Sequence, residues 1–356
     1  MSITYRDLTA RLTEQEIEHH TIALHDGSLI VVSHYGGRVY GPFRGPDRGS
    51  ETWVPEAFAS PEAFDELVRS GFWNVGGERI WIGPEVTYII EDRDDYWGTF
   101  VLPTAIDPAP HTCESRDPLI LQRAGTVTAR NTGSGDVTFE LGMRVRPAPS
   151  PLRFVGTPED PLRALRCAGY SVTITLDRGE TSAPMESWDI VQVLAGGTAL
   201  IPAVGVAEVT DYYEPVGDLL TRRPGVLATS LTGRDRFKIG VKAPHVFGRS
   251  GYVRRLAGDE YALLVRDFGN RAEAPYGEEP DFAPGVMGDS IHLYNDDGGL
   301  GGFAEVESRG TPTGTDTDRT TSTDTFTSWW FFGTRDEIDR ASAHLLGAGV
   351  GELENQ

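Results

Sequence analysis

The chain has 356 residues, of which 53 are acidic and 32 are basic, so its formal net charge at pH 7 is −21. This excess of acid argues against a nucleic-acid partner, because binding to phosphates needs a basic face and the basic residues here are dispersed. No apolar run approaches the roughly 20 residues that cross a bilayer, and the N-terminal segment lacks the apolar stretch of a secretory signal, so we predict a cytoplasmic protein without a membrane partner.

Predicted helices are few and peripheral. The first lies within residues 1–20 and places His19 and His20 at its solvated end. A second runs from a capping serine at position 60 to the glycine at position 71, and the last lies within 334–347. Both of these later segments begin with a good N-cap residue and carry acidic residues in the first turn, where the helix dipole favours negative charge.

Most of the chain is predicted to form β-strands. The 42 glycines and 23 prolines occur at short intervals, and the segments between them alternate apolar and polar residues. This pattern is typical of strands joined by turns. In chain order the predicted strands are 21–23, 28–33, 38–40, 86–91, 125–131, 137–146, 171–176, 190–193, 199–202, 237–241, 251–256, 261–268, 291–295, 303–308 and 325–332.

This content predicts an all-β fold, a large antiparallel sandwich with a few peripheral helices. No change in composition divides the chain, so residues 1–356 are predicted to form one domain. The polar, low-complexity segment 310–325 is interpreted as a long hairpin loop.

Residues 74–85 are the richest candidate for a binding site. Asn74, Glu78, Arg79, Trp81 and Glu85 combine carboxylates, a guanidinium and an indole in a dozen residues. Aromatic rings suit the apolar faces of sugars, and charged groups suit their hydroxyls. The alternative is a purely structural glycine turn that leads into a strand, with an ion pair between Arg79 and Glu85.

A second candidate is the strand 303–308. Glu305 and Glu307 lie two residues apart, so both point to the same face, where their mutual repulsion favours a partly protonated carboxyl suited to proton transfer. Lys238 and Lys242 are the only lysines of the chain and share one face of another predicted strand. We expect Lys238 to face the same cleft as the glutamates. For each strand, a solvated face is the alternative.

His245 and His292 are candidates for a general acid, since each lies in or beside a strand or loop. No pair of histidines has the spacing of a metal-binding motif. Cys113 and Cys167 are too few and too far apart to indicate a disulfide scaffold or a zinc site. We therefore predict neither a metal nor another cofactor.

Five segments, in order along the chain, resemble the galactose mutarotase-like superfamily, especially its bacterial and archaeal branch. They are NVGGERIWIGPE, SWDIVQVLAGGTALIPA, FKIGVKAPHVFGRSGY, IHLYNDDG and GGFAEVESRGTP. The resemblance implies a β-supersandwich whose concave face binds a carbohydrate, and it adds Tyr294 and Asn295 to the expected substrate-binding residues.

In mutarotases of this superfamily a glutamate acts as base on the anomeric hydroxyl and a histidine protonates the ring oxygen. The resemblance assigns the base to Glu307, with Glu305 as its neighbour. The histidine motifs have no counterpart, because the family's His-Gly-Gly reads Val-Gly-Gly here. Glu78, Lys238, His245 and His292 are the candidates to replace the acid.

The resulting hypothesis is a carbohydrate-active isomerase, such as an aldose 1-epimerase, that acts at or beside the anomeric carbon of a neutral sugar. One alternative is a carbohydrate-binding or sensing module without catalysis. Another is a sugar lyase or isomerase on the same fold, for which Tyr88 and Tyr294 are candidate catalytic tyrosines.

Overall fold

Two antiparallel β-sheets make up most of this computed structural model, which describes residues 2–314 and 319–349. The strands are β1 His19–Ala23, β2 Leu29–Ser33, β3 Arg38–Phe43, β4 Glu78–Gly83, β5 Thr112–Arg116, β6 Leu119–Ala129, β7 Gly135–Pro147, β8 Arg166–Asp177, β9 Glu186–Leu194, β10 Gly197–Pro202, β11 Val209–Asp211, β12 Leu220–Arg223, β13 Val226–Leu231, β14 Phe237–Lys242, β15 Arg249–Arg255, β16 Glu260–Asp267, β17 Asp289–Asn295, β18 Phe303–Arg309 and β19 Thr321–Thr334.

One sheet has nine strands in the order β1-β2-β3-β4-β9-β18-β17-β14-β11, and the other has ten in the order β12-β13-β10-β15-β16-β19-β8-β7-β6-β5. Their facing sides share one apolar core. Val191, Leu293 and Val306 enter it from the nine-stranded sheet, and Val172 and Leu264 enter it from the ten-stranded sheet. The predicted all-β antiparallel sandwich is confirmed.

Few helices accompany the two sheets in the described residues. The α-helices are α1 Tyr5–Glu14, α2 Pro61–Ser70, α3 Glu85–Tyr88 and α4 Arg335–Leu346. Short 3₁₀ helices occupy Glu56–Ala59, Arg93–Asp95, Pro151–Phe154, Pro161–Ala164, Gly217–Leu219 and Ala243–His245. Within the described ranges, no helix has the length and apolar character needed to cross a membrane.

The helix N-caps predicted at positions 60 and 334 are both confirmed. Ser60 accepts a hydrogen bond from the backbone of α2, and Thr334 forms a capping box with Glu337 at the start of α4. The N-terminal helix α1 is shorter than predicted, because the chain leaves the helix at Glu16, whose φ is 54°. The prediction that His19 and His20 form a solvated helix end is therefore wrong: both residues open strand β1.

Two other segments differ from the prediction. Residues 86–91, predicted as a strand, begin as the short buried helix α3, since a short apolar run cannot by itself distinguish a buried strand from a buried helix. The predicted loop 310–325 is shorter, because β19 already begins at Thr321, where it pairs with Asp177 of β8. Residues 315–318 of that loop lie outside the described residues.

Candidate functional site

The face of the nine-stranded sheet that points away from the other sheet carries a cavity of about 440 Å³. Alternation along the strands decides which side chains reach it. On β4, Glu78 points toward Arg266 of the ten-stranded sheet, whereas the next residue, Arg79, lines the cavity. Segments beyond the strand ends add the remaining walls. The lining side chains are Trp73, Arg79, Trp81, Glu85, Trp97, Phe100, Trp188, Ile190, Tyr213, Arg236, Lys238, Tyr294, Leu300, Glu305 and Glu307.

Strand register brings the charged groups together. Glu305 on β18 is directly opposite Tyr294 on β17, and Tyr294 is in turn opposite Lys238 on β14. Two residues further along β18, Glu307 is opposite Ile190 of β9. Residues widely separated in the chain therefore form adjacent rows on one surface, because neighbouring strands in a sheet lie only about 5 Å apart.

Glu307 is the most distinctive carboxyl of the cavity. Its side chain is 1% exposed, and its Oε2 accepts a 2.9 Å hydrogen bond from the indole Nε1–H of Trp188. Burial raises the pKa of Glu307 to about 7, and the neighbouring charge of Glu305 adds to this effect. Lys238 and Arg309, with the Trp188 hydrogen bond, act in the opposite direction. Such a group exchanges protons readily near neutral pH.

A second carboxyl of the cavity, Glu85, is tied to a buried network. The Nζ of Lys238 lies 3.4 Å from its Oε2, and its backbone N–H donates to Glu278 at 3.1 Å. Burial raises the pKa of Glu85 to about 8, and the negative charge of Glu278 contributes. Although burial disfavours a charged amine, Glu85, Glu307 and Glu278 together raise the pKa of Lys238. Glu85 therefore takes up a proton at a higher pH than an ordinary carboxyl, and Lys238 keeps its charge.

Arg79 and Glu305 form a third charged unit. Their side chains meet at 2.8 Å, and Gln192 donates a further hydrogen bond to the same carboxylate at 2.9 Å. The guanidinium lies over the rings of Trp81 and Trp73, at 4.5 and 5.1 Å from their centroids. The ion pair between Arg79 and Glu85 that the sequence suggested does not form, since each has another partner.

Aromatic residues cover the outer wall of the cavity. Trp97 and Tyr213 meet edge to face at 4.9 Å, and Tyr213 meets Tyr294 in the same way at 6.0 Å. The exposed guanidinium of Arg236 lies over Trp97 and Tyr213 at 5.3 and 4.9 Å. This wall offers apolar ring faces beside polar edges, the combination that suits a sugar ring.

Three predicted site residues lie away from the cavity. Glu78 accepts a 2.5 Å hydrogen bond from Tyr170 on the facing sheet, because it alternates with Arg79. Lys242 donates to the carbonyl of Met287 at 2.8 Å, beyond a register shift that separates it from Lys238. His245 lies in the 3₁₀ helix after β14, outside the cavity wall.

The remaining predicted residues lie next to lining residues without lining the cavity themselves. His292 is opposite Glu307 but is fully buried, and its Nε2 lies 3.2 Å from the hydroxyl of Tyr212. Burial lowers the pKa of His292 well below its usual range, so the ring is neutral. Asn74 donates to the carbonyl of Leu300, a wall residue, at 3.1 Å. Asn295 holds the turn before β14, accepting from a backbone N–H at 2.9 Å.

Sequence reasoning missed about half of the cavity. The missed lining residues are Trp73, Trp97, Phe100, Trp188, Ile190, Tyr213, Arg236 and Leu300. Trp188 carried a signal, since it lies in one of the five segments that resemble the mutarotase-like superfamily.

Taken together, the cavity combines two carboxyls whose pKa values burial raises to about 7 and about 8, a buried cation and four tryptophan rings. This set can bind a polar ring compound and transfer protons to and from it. Comparison of the chain with protein-family models and with curated proteins found no match.

Proposed function

We propose that the chain is a carbohydrate-active enzyme, which binds a neutral sugar in this cavity and performs acid/base chemistry at or beside its anomeric carbon with Glu307 as the base. The observation that carries the proposal is the position of Glu307: a buried carboxyl, anchored by Trp188, on the wall of a cavity with aromatic sides. The expected resemblance to the galactose mutarotase-like superfamily supports the same role for this residue.

The shape and lining of the cavity suit a sugar. Its volume of about 440 Å³ lies in the range of small-molecule sites, roughly 300–1,000 Å³. Indole rings bind the apolar faces of a pyranose, and the charged pairs offer donors and acceptors to its hydroxyls. Because most charges of the cavity are already paired, as between Arg79 and Glu305, a neutral substrate fits better than a strongly charged one.

In the reaction, Glu307 removes the proton from the anomeric hydroxyl while an acid protonates the ring oxygen. The ring opens to the free aldehyde, the terminal bond rotates, and the reverse proton transfers close the ring as the other anomer. Glu85 is the best candidate for the acid, because it lines the cavity and burial raises its pKa to about 8. Lys238 is a poor proton donor, since its carboxylate neighbours hold the proton on it, and it instead stabilises negative charge.

Elimination chemistry of the lyase type receives less support. Tyr294 lines the cavity, but burial and the charges of Glu305 and Asp296 raise its pKa, which disfavours the phenolate that a tyrosine base requires. Tyr88 lies outside the cavity wall, and its hydroxyl donates to the carbonyl of Pro184 at 2.7 Å.

The test is exchange NMR on a panel of free aldoses, with quenching of tryptophan fluorescence as an independent measure of binding. We expect faster interconversion of the anomers of at least one sugar, and its loss in Glu307→Gln. The matched control is Glu78→Gln, a buried glutamate of the same sheet that faces the other side. Saturable binding without exchange would assign the cavity to binding alone, and absence of both would reject the proposal.

A further inference from the structure

Three side chains able to bind a metal meet at one edge of the sandwich. They are His20 on β1, His34 just after β2, and Cys113 on β5, and one ligand atom from each lies within 4.8 Å of the others. Strand β1 is the edge of the nine-stranded sheet, and β5 is the edge of the ten-stranded sheet. The cluster therefore lies where the two sheets meet at their open ends, and β2 and β3 separate it from the cavity strand β4.

Backbone hydrogen bonds bring these residues together. The N–H of His111 donates to the carbonyl of His34 at 2.9 Å, and the N–H of Gly36 donates to the carbonyl of Ala109 at 3.1 Å. These two hydrogen bonds hold residues 109–111, just before Cys113, against residues 34–36, just after β2. The cluster is consequently held by main-chain structure as well as by its own side chains.

The histidine rings are arranged as ligands. Nε2 of His20 and Nε2 of His34 face each other at 2.9 Å, while Nδ1 of His34 lies 3.6 Å from a carboxylate oxygen of Glu18. With its proton on Nδ1, the nitrogen nearer the carboxylate, His34 directs its Nε2 lone pair at His20. A carboxylate behind a histidine is the usual support of a metal-binding imidazole.

Two charged side chains lie beside the cluster. One carboxylate oxygen of Glu18 faces His34, and the other accepts a hydrogen bond from Arg116 at 3.1 Å. A positive charge and a negative charge therefore border the cluster as a pair.

We propose that His20, His34 and Cys113 bind a zinc ion that ties the open edges of the two sheets together. Two imidazoles and a thiolate are ligands that zinc prefers, and a water completes the tetrahedron. The positive charge of Arg116 does not prevent zinc binding, because the thiolate and the Glu18 carboxylate balance the two positive charges of the ion. This site is independent of the proposed sugar chemistry.

The geometry needs only small side-chain movements. Tetrahedral zinc with ordinary bond lengths sets its nitrogen ligands about 3.3 Å apart and a nitrogen and a sulfur about 3.6 Å apart. The two rings at 2.9 Å must therefore separate by a few tenths of an ångström, and the thiol must approach by about 1 Å. On binding, the Cys113 thiol, which now donates to the Ser115 carbonyl, releases its proton to solvent as the Zn–S bond forms. His20 changes tautomer and loses no net proton.

The test uses the full chain, freed of metal with a chelator and kept reduced. Zn²⁺ is titrated against a competing chromophoric chelator, and Co²⁺ serves as an optical probe of thiolate ligation. We expect one equivalent of Zn²⁺ to bind, and Cys113→Ser and His34→Gln to weaken this binding at least tenfold. The controls are His25→Gln, an exposed histidine after β1, and Cys167→Ala, the other cysteine.

A measurement on the unaltered chain guards against variants that fail to fold. One equivalent of Zn²⁺ should slow alkylation of Cys113 at least tenfold, as followed by mass spectrometry, and leave the alkylation of Cys167 unchanged. The proposal is overturned if Zn²⁺ leaves the alkylation rate of Cys113 unaltered, or if folded Cys113→Ser binds Zn²⁺ as tightly as the original chain. Neither result bears on the sugar cavity.

Discussion

The indole Nε1–H of Trp188 donates a 2.9 Å hydrogen bond to Oε2 of Glu307. The two residues are on neighbouring strands, β9 and β18, and both line the cavity. The bond uses one carboxyl oxygen and fixes the plane of the group. It therefore orients Glu307 as a base and favours its ionised form.

The substitution Glu307→Gln keeps the shape of the side chain and removes its basicity. We expect the catalysed exchange of anomers to fall by about 10²–10⁴-fold, the usual contribution of a positioned base. Sugar binding, measured by tryptophan fluorescence, should change little. Retention of full exchange activity by a folded Glu307→Gln variant would exclude Glu307 as the base.

The charge of Lys238 should shift the pH dependence of the reaction rate, because it lowers the pKa of Glu307. In the proposed reaction Glu307 must be ionised, so the rate should fall as the pH drops through about 7. Lys238 lowers the pKa of Glu307, so Lys238→Met should raise this pKa and move the acid limb of the pH–rate profile to higher pH, by about half a pH unit or more. The other lysine, Lys242, lies outside the cavity wall, and Lys242→Met should leave the profile unchanged.

The substitution Trp188→Phe distinguishes the contribution of the indole hydrogen bond from that of the aromatic ring. The ring, over which Arg309 lies at 3.6 Å, is largely retained, but the donor to Glu307 is lost. A hydrogen bond to a charged group contributes about 1.5–3 kcal/mol, so we expect a decrease in kcat of about 10–100-fold with a smaller change in KM. The control is Trp329→Phe on the ten-stranded sheet, which removes a hydrogen bond to the carbonyl of Pro149. A change confined to KM would contradict the orienting role.

Arg309 should be important for stability. It is fully buried and binds Glu186 at 3.2 Å and Glu278 at 2.7 Å. Arg309→Met leaves two buried carboxyls without this cation, and removal of one partner from a buried pair costs about 3–5 kcal/mol in the free energy of unfolding. Urea denaturation followed by circular dichroism measures the effect. Arg69→Met, which breaks exposed pairs on α2, should leave the midpoint unchanged.

The loss in Arg309→Met should also depend on pH. Burial already raises the pKa of Glu186 from 4.5 to about 7, and Arg309 opposes that rise. Without Arg309 the folded-state pKa rises further above the unfolded value, so stability present below pH 4.5 is lost as the pH rises through the folded-state pKa. The variant should therefore be less destabilised at pH 5.5 than at pH 8. Equal destabilisation at both values would contradict this account.

The site was predictable from the sequence where it depends on which residues of one strand share a face. The period of two in β18 places Glu305 and Glu307 on one face, and the cavity contains both. The same rule, applied to β4, separates Glu78 from Arg79, although the sequence interpretation grouped them. For Lys242 no sequence rule was available, because a register shift after Val241 moves it away from Lys238.

The sequence by itself determined the sandwich, most strand positions and the shared face of Glu305 and Glu307, because period-two alternation is a local property that each strand carries. Tertiary structure alone decided which of these groups meet. Arg79 and Glu305 form an ion pair across 226 residues of chain, and His20 and His34 approach Cys113 only because the edges of two sheets come together. Burial is also decided by the tertiary structure. The pKa of Glu307 rises to about 7 because packed neighbours exclude water from it, and the spacing of residues in the sequence does not reveal this.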